Sequence, residues 1–408
     1  MNRPLKLFVV VGEESGDQLG AGLVDGLRGR IGDGLTVTGL AGTRLTARGV
    51  VSLFPLEEIA VMGLSAVLAR LPSIVRRVHE TVDAVLAEKP DVLVIIDSPD
   101  FTHAVAKRVR RRDPSIPIVG YVSPSVWAWR PGRAERMARY VDHLLAILPF
   151  EPEVHARLGG PACTYVGHPL AERPELKAAA ARGPADPART PTLLVLPGSR
   201  RSEISRLLEP FGATLAKLAA DGVRFEAVLP AVPHLEAEIR AATADWAVQP
   251  EIVSGEAAKF AAFARADAAL AASGTVTLEL GLAGVPMVVA YRLDWFFRRL
   301  KDLTTVFPSI AKAKSMVLAN IILGTNVVPE FLDDDVNPDT LAPLLADLLD
   351  PATGAAAAQR TAFADLRTRM ALPGDRQPSD IAAEVVLRIA ARRGQGLAVA
   401  GEIPPRTG

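Results

Sequence analysis

The stretch KPDVLVIIDSPDF, residues 89–101, decides the fold that this sequence predicts. Its five consecutive apolar residues, Val92–Ile96, are typical of a strand that is buried on both faces of a parallel sheet. Asp97 follows the strand directly, and the amphipathic stretch His103–Arg112 predicts a helix. A buried strand followed by a helix is the repeating unit of parallel α/β folds.

The same unit recurs along the chain, which predicts two Rossmann-like domains. Seven further short apolar runs predict strands at Leu7–Val11, Ile118–Val122, Leu144–Leu148, Leu193–Leu196, Phe225–Leu229, Ala268–Ala271 and Met287–Ala290. The Pro-, Ala- and Arg-rich stretch 171–191 has no strand pattern and predicts a boundary. We expect an N-terminal domain over 1–170, a linker over 171–191, a C-terminal domain over 192–370, a C-terminal helix over 371–393 and a disordered tail over 394–408.

Composition excludes several classes of protein. Among 408 residues, 46 Lys and Arg balance 46 Asp and Glu, which disfavours a nucleic-acid partner. The single Cys163 excludes a disulfide framework, and the six histidines have no metal-ligand spacing, so we expect no metal and no cofactor. The first eleven residues do not resemble a signal peptide, and no uncharged apolar run is long enough to span a bilayer. The single cysteine fits a reducing, cytoplasmic setting, and a mean hydropathy of +0.22, high for a chain with few aromatic residues, suggests a protein peripheral to a membrane.

Carboxylates follow the strands of the first half. In doubly wound domains ligands bind outside the carboxyl ends of the strands, and the cleft between two such domains is the default site. Asp97, at a buried strand end, suits a general base, whereas Asp100 is the alternative and either residue suits a helix cap.

The carboxylate-rich turn at 12–17 would repel a pyrophosphate, which disfavours a dinucleotide-dependent dehydrogenase. It either binds sugar hydroxyls or caps its helix. The candidate residues for contact with a sugar or with the acceptor of a transfer reaction are Glu13, Ser15, Asp17, Ser123 and Trp127.

The sequence of two loops in the second half predicts two anion-binding sites, or anion seats. The motif LPGSR, residues 196–200, and the motif ASGTVTLE, residues 272–279, each join a strand to a helix through small residues, and a helix N-terminus attracts anions. Two seats suggest a nucleoside diphosphate, although each loop is also compatible with an ordinary capped helix. No Walker lysine follows either loop, which disfavours an NTPase. The candidate residues are Gly198, Ser199, Arg200, Ser273, Gly274, Thr275 and Glu279.

Two apolar segments lie beside arginines and suggest an apolar rim of the protein that contacts a membrane, here called the membrane rim. Ordinary amphipathic helices show the same pattern. The candidate rim residues are Val61, Met62, Leu64, Trp295, Phe296 and Phe297.

Taken in order, the motifs resemble those of the lipid-A-disaccharide synthase family of inverting bacterial glycosyltransferases. The matching motifs are GEESGDQLGAGL (12–23), IAVMGL (59–64), KPDVLVIIDSPDF (89–101), YVSPSVWAWR (121–130), LPFE (148–151), VGHPL (166–170), LPGSR (196–200), ASGTVTLE (272–279) and MVVAYR (287–292). YVSPSVWAWR and the turn around Asp97 are the most specific of them.

The resemblance implies a GT-B fold, with two parallel sheets facing a central cleft and a helical C-terminal part. It implies transfer of diacylglucosamine from UDP-2,3-diacylglucosamine to 2,3-diacylglucosamine 1-phosphate at the anionic cytoplasmic face of the inner membrane. It makes Asp97 the general base, Arg200 a diphosphate ligand, Glu279 a nucleotide ligand and Asn320 an activity residue. The sequence departs from the family pattern in reading Val317-Leu318-Ala319 before Asn320 and in having Thr102.

Two other functions fit the same composition. A UDP-GlcNAc epimerase or a lipid-linked peptidoglycan transferase would share the fold, but the motif SPSVWAWR favours the disaccharide synthases. A non-catalytic binding protein would not need Asp97.

Overall fold

The structure is a computed structural model that describes residues 4–59, 64–128, 130–182, 189–293, 315–374 and 376–393. The tail predicted over 394–408 lies outside the described residues. The chain divides into two compact units, of which the first combines Met1–Gly167 with Leu372–Gly408 and the second is His168–Ala371. Within the described ranges, no helix is long and apolar enough to cross a membrane.

The first unit contains a six-stranded parallel sheet in the order β2-β1-β3-β4-β5-β6. Its strands are β1 (Leu5–Val11), β2 (Leu35–Leu40), β3 (Val92–Ile96), β4 (Ile118–Tyr121), β5 (His143–Ala146) and β6 (Ala162–Tyr165). Its helices are α1 (Glu14–Ile31), α2 (Thr43–Thr46), α3 (Leu64–Glu88), α4 (Pro99–Arg112), α5 (Gly132–Ala138), α6 (Glu151–Arg157) and, at the end of the chain, α15 (Pro378–Arg393).

Helices cover the sheet of the first unit, which explains its continuous apolar strands. All five residues of β3 are buried, as the run at 92–96 predicts. Helices α1 and α15 share one apolar core with the sheet, and α3, α4 and α5 share the other. Gly26 permits the close approach of α1 to the start of α15, because a Cβ there would lie 2.6 Å from the carbonyl oxygen of Ser379.

The second unit contains another six-stranded parallel sheet, in the order β12-β11-β10-β7-β8-β9. Its strands are β7 (Thr192–Leu196), β8 (Glu226–Ala231), β9 (Glu251–Ser254), β10 (Ala268–Ala272), β11 (Met287–Tyr291) and β12 (Glu330–Leu332). Its helices are α7 (Pro174–Ala180), α8 (Arg201–Ala220), α9 (Glu236–Ala242), α10 (Glu256–Arg265), α11 (Thr275–Ala283), α12 (Leu318–Leu323), α13 (Pro338–Leu349) and α14 (Ala355–Met370). Helices α8 and α13 share an apolar core with this sheet. The prediction of two parallel α/β sheets is confirmed.

Each sheet reverses its strand order once, and the reversal marks the expected ligand site. The first sheet reverses between β1 and β3, where Val11 pairs with Ile96. The second reverses between β7 and β10, where Leu196 pairs with Ala271. The loops that leave these four strands therefore start side by side within their own unit. They carry the predicted site residues Glu13, Asp97, Gly198, Ser199, Arg200, Ser273 and Gly274.

Candidate active site

Asp97 lies at the carboxyl end of β3 in an unusual backbone conformation. Asp97 and Ser98 have φ angles of +54° and +40°, a left-handed region that non-glycine residues adopt at a cost. The Thr102 hydroxyl donates to the Asp97 carbonyl oxygen at 2.6 Å, and the Ser98 N–H donates to the Asp97 carboxylate at 2.7 Å. The turn thereby fixes where the Asp97 carboxylate points, and it gives Thr102 a structural role.

The first β–α loop brings a second carboxylate to Asp97. The Ser15 hydroxyl lies 2.7 Å from Glu13 Oε1 and 3.3 Å from Asp97 Oδ2. Burial raises the pKa of Asp97, and the neighbouring negative charge of Glu13 raises it further. Gly12 permits the approach of the two loops, because a Cβ there would lie 2.0 Å from the Cβ of Ser98. The sequence-predicted residues Glu13, Ser15 and Asp97 thus meet at one point.

The other two carboxylates of this region have different surroundings. Asp17 is 1% exposed, and its carboxylate accepts from the backbone N–H groups of Gly42, Arg44 and Leu45, the start of α2. Asp17 therefore ties α1 to the loop after β2. Asp100 is fully exposed on the first turn of α4, 3.9 Å from Arg133. Of the two candidates for a general base, only Asp97 lies in a desolvated site beside another carboxylate.

The loop after β4 rests on a buried polar network that sequence reasoning missed. The Ser123 hydroxyl lies 2.8 Å from His155 Nε2, and His155 is fully buried. Glu151, 2% exposed, accepts from the Leu148 N–H at 3.0 Å, and burial raises the pKa of its carboxyl to about 7. Trp127 packs edge to face on Phe150, with ring centroids 5.4 Å apart. The quoted motif LPFE contains Glu151, but nothing in its spacing indicates contact with the loop at 123–128.

In the second unit, the loop after β7 forms the first predicted anion seat. Gly198 has a φ of +114°, and Arg200 precedes the first residue of the 20-residue helix α8. The Ser199 and Arg200 N–H groups donate to Glu203 Oε2 at 3.2 and 3.3 Å, and Arg200 Nη1 lies 3.0 Å from Glu203 Oε1. The Arg200 side chain is two-thirds exposed. The donors that the sequence assigns to a phosphate are present, and they contact Glu203, a partner that no motif in the sequence indicates.

The loop after β10 forms the second predicted seat. Gly274 has a φ of +149° and precedes α11, and the Ser273 hydroxyl donates to the Met316 carbonyl oxygen at 3.4 Å. Gly274 and Thr275 are exposed. One turn into the helix, Glu279 is 9% exposed, and both its carboxylate oxygens lie within 3.0 Å of Lys259 Nζ. Lys259 is a residue that no motif of the sequence indicated.

Asn320 lies on α12 and is 2% exposed. Its side-chain amide donates to the Val328 carbonyl oxygen and accepts from the Val328 N–H, both at 2.9 Å. Both polar ends of the amide therefore hold the segment before β12.

The predicted membrane rim falls mainly outside the described residues. This applies to Val61, Met62, Trp295, Phe296 and Phe297 and to the side chain of Leu64, which begins α3. Further along α3, Leu71 and Val75 are 48% and 41% exposed. They stand at i and i+4, in the same helical stripe as the buried Val78 and Val82. The apolar stripe of α3 thus extends beyond the core.

Within each unit, the strand-end groups suit one half of a group transfer. The first unit offers a desolvated carboxylate that can take a proton from a hydroxyl. The second offers backbone N–H groups, an exposed guanidinium and a helix N-terminus, which stabilise a developing phosphate charge.

Comparison with known proteins identifies relatives over nearly the full chain. A protein-family model described as lipid-A-disaccharide synthetase matches residues 7–370. The lipid-A-disaccharide synthase of Rhodopseudomonas palustris (strain HaA2) is 52% identical over 389 residues, which cover 94% of this chain and 96% of the relative. That of Rhodospirillum centenum is 41% identical and covers 96% of both chains.

Solved structures support the fold. The structure of MurG from Acinetobacter baumannii aligns with a TM-score of 0.57 at 14% identity, covering 94% of this chain and 100% of that one. The UDP-GlcNAc 2-epimerase of Neisseria meningitidis aligns with a TM-score of 0.52 at 13% identity, covering 95% and 100%. These likenesses, with the two parallel sheets, confirm the GT-B fold.

Proposed function

This chain belongs to the lipid-A-disaccharide synthetase family, and we propose that Asp97 is the general base of its glycosyl transfer. The chain is a glycosyltransferase of lipid A synthesis. It joins the diacylglucosamine of UDP-2,3-diacylglucosamine to 2,3-diacylglucosamine 1-phosphate, giving the β-1,6-linked disaccharide 1-phosphate and UDP. The roles of the individual residues are our proposal, and the contact of Ser15 with both Glu13 and Asp97 carries it.

The acceptor hydroxyl has a pKa far above neutral, so its attack on the anomeric carbon requires a proton acceptor. Asp97 takes that proton as the new glycosidic bond forms and the bond to UDP breaks in a single displacement with inversion. A carboxylate whose pKa is raised toward the working pH is a better base, and burial and Glu13 both act in that direction. A positioned general base contributes about 10²–10⁴-fold in rate.

The departing UDP gains charge on its β-phosphate. The N–H groups of Ser199 and Arg200, the Arg200 guanidinium and the N-terminus of α8 are the groups that we assign to that charge. The loop formed by Ser273, Gly274 and Thr275 binds the second phosphate, and Glu279 accepts from the ribose hydroxyls. Lys259 neutralises Glu279, which allows this carboxylate to lie beside a diphosphate. No metal is required in this account.

Four predicted residues act through their neighbours. Asp17 anchors the N-terminal turn of α1, next to Glu13 and Ser15, to the loop after β2, and Asn320 holds the segment at Val328. Ser123 and Trp127 position the loop after β4, through His155 and Phe150, so that it borders the acceptor sugar.

We also propose that the protein binds the anionic cytoplasmic face of the inner membrane peripherally. Both substrates carry acyl chains, so the enzyme must reach them at the bilayer. The exposed Leu71 and Val75 on α3 supply apolar side chains, and the exposed Arg76 beside them suits anionic headgroups.

The test of the reaction is mass spectrometry of the lipid products. Purified protein is incubated with both diacylglucosamine substrates, with and without EDTA. The proposal expects a disaccharide 1-phosphate and one UDP per disaccharide, in equal amounts under both conditions. Release of UDP without formation of a disaccharide would show that the proposed acceptor is wrong. Activity that depends on a divalent cation would overturn the proposal that the reaction needs no metal.

A further inference from the structure

The Glu203 carboxylate occupies the donors of the predicted phosphate seat. One oxygen accepts from the N–H groups of Ser199 and Arg200, and the other lies 3.0 Å from the Arg200 guanidinium. The carboxylate also covers Gly198, because a Cβ on that residue would lie 2.6 Å from Glu203 Oε2. The Glu203 side chain is only 13% exposed, so it fills this position rather than extending into solvent.

We propose that Glu203 is an intramolecular competitor of the ligand diphosphate. Its carboxylate holds the two N–H groups in the free protein, the incoming phosphate displaces it, and it returns when UDP leaves. This inference rests on the proposed nucleotide seat and deepens it by naming the group that sets how tightly the seat retains the product.

The Glu203 carboxylate and a phosphate compete for the same donors and carry like charge. An N–H group has one hydrogen, so full hydrogen bonds to a carboxylate and to a phosphate at the same place exclude each other. Two anions in a partly desolvated site also repel each other, and hydrogen bonds to charged acceptors are the stronger class. Binding of the diphosphate therefore includes the cost of displacing Glu203, and its return favours release of UDP.

A simple capping role makes a different prediction. Glu203 is the third residue of α8, and its contact with the Arg200 N–H has the geometry of a capping box. If capping were its whole function, removing the charge would leave UDP affinity unchanged or weaken it. If Glu203 competes with the ligand, the same change tightens binding of UDP but not of uridine.

The experiment measures the dissociation constants of UDP and uridine by calorimetry on the full chain. The variant Glu203→Gln keeps the length and an accepting oxygen but removes the charge. The matched control is Glu238→Gln, because Glu238 pairs with the neighbouring Arg201 at 2.9 Å and does not contact the N–H groups of the loop. A second variant, Glu203→Asp, keeps the charge but shortens the reach by one methylene.

We expect Glu203→Gln to bind UDP about tenfold more tightly than the wild type, with unchanged uridine affinity. UDP should inhibit turnover of this variant at correspondingly lower concentration. Glu203→Asp should also bind UDP more tightly, because its carboxylate no longer reaches both N–H groups, and Glu238→Gln should match the wild type. Equal or weaker UDP binding by both Glu203 variants, or an equal gain in Glu238→Gln, overturns the inference. Failure of the wild type to bind UDP would instead overturn the proposed nucleotide seat.

Discussion

The carboxylates of Glu13 and Asp97 share the hydroxyl group of Ser15, at 2.7 and 3.3 Å. They follow the ends of two neighbouring strands, β1 and β3, at the reversal point of the first sheet. The negative charge of Glu13 opposes ionisation of Asp97, so the two residues are electrostatically linked. Because of this link, the pH dependence of turnover should report how Glu13 affects the ionisation of Asp97.

The variant Glu13→Gln should move the acid limb of the kcat/KM profile to lower pH. Asp97 acts as a base only when it is ionised, so activity falls as the pH drops through its pKa. Glu13 raises that pKa, and removing its charge should therefore move the limb to lower pH. The control is Glu14→Gln, which removes an exposed carboxylate next to it in sequence. An acid limb that stays in place in Glu13→Gln, or moves equally in both variants, would contradict the link.

Lys259→Met should weaken donor binding more than it slows the chemical step. Glu279 is 9% exposed and loses its only cationic partner within the described part of the chain. We expect KM for the UDP-sugar to rise about tenfold with a smaller change in kcat. Lys259→Arg should recover part of the affinity, and Lys217→Met on α8 should behave as the wild type. If Lys259→Met lost thermal stability but kept its KM, the ion pair of Lys259 and Glu279 would have only a structural role.

Glu151→Gln should change how stability depends on pH. The pKa of Glu151 is raised from 4.5 to about 7 in the folded protein. Because the folded protein binds this proton more tightly than the unfolded chain does, the contribution of Glu151 to the free energy of unfolding is complete below pH 4.5. This contribution is lost as the pH rises to about 7, by up to about 3 kcal/mol. Denaturant unfolding at pH 4.5 and pH 8 should show this loss in the wild type and a smaller one in Glu151→Gln. The neighbouring exposed Glu153→Gln should retain the full loss, and an equal loss in all three proteins would refute the prediction.

The double variant Leu71→Ser, Val75→Ser should weaken membrane binding. Sedimentation with vesicles that contain anionic lipids should recover less of this variant than of the wild type, and turnover of water-soluble short-chain substrates should be unchanged. Val51→Ser is the control, because Val51 is 84% exposed but lies outside α3. Vesicle binding that is the same for all three proteins would exclude this part of α3 from the membrane surface.

The sequence predicted the central strands of both sheets and missed the four edge strands. The strands β2, β6, β9 and β12 are the outermost ones in the two sheets. Most of their residues are only partly buried. An edge strand faces solvent along one side, so it does not need the continuous apolar run by which β3 was predicted.

The candidate site was predictable where a residue follows a central strand, and less so where a partner comes from elsewhere in the chain. Asp97 and Arg200 stand directly at or near strand ends, which periodicity locates. Lys259 is 20 residues from Glu279, and His155 is 32 residues from Ser123. Such contacts depend on how helices pack, and no local spacing encodes them.

The most direct test of the account is turnover by Asp97→Asn, measured together with its UDP affinity. The amide keeps the shape of the side chain but cannot accept the acceptor's proton. We predict a loss of about 10²–10⁴-fold in kcat with unchanged UDP binding, whereas Asp100→Asn should turn over at nearly the wild-type rate. Near-normal turnover by Asp97→Asn, or a comparable loss in Asp100→Asn alone, would contradict the assignment of Asp97 as the general base.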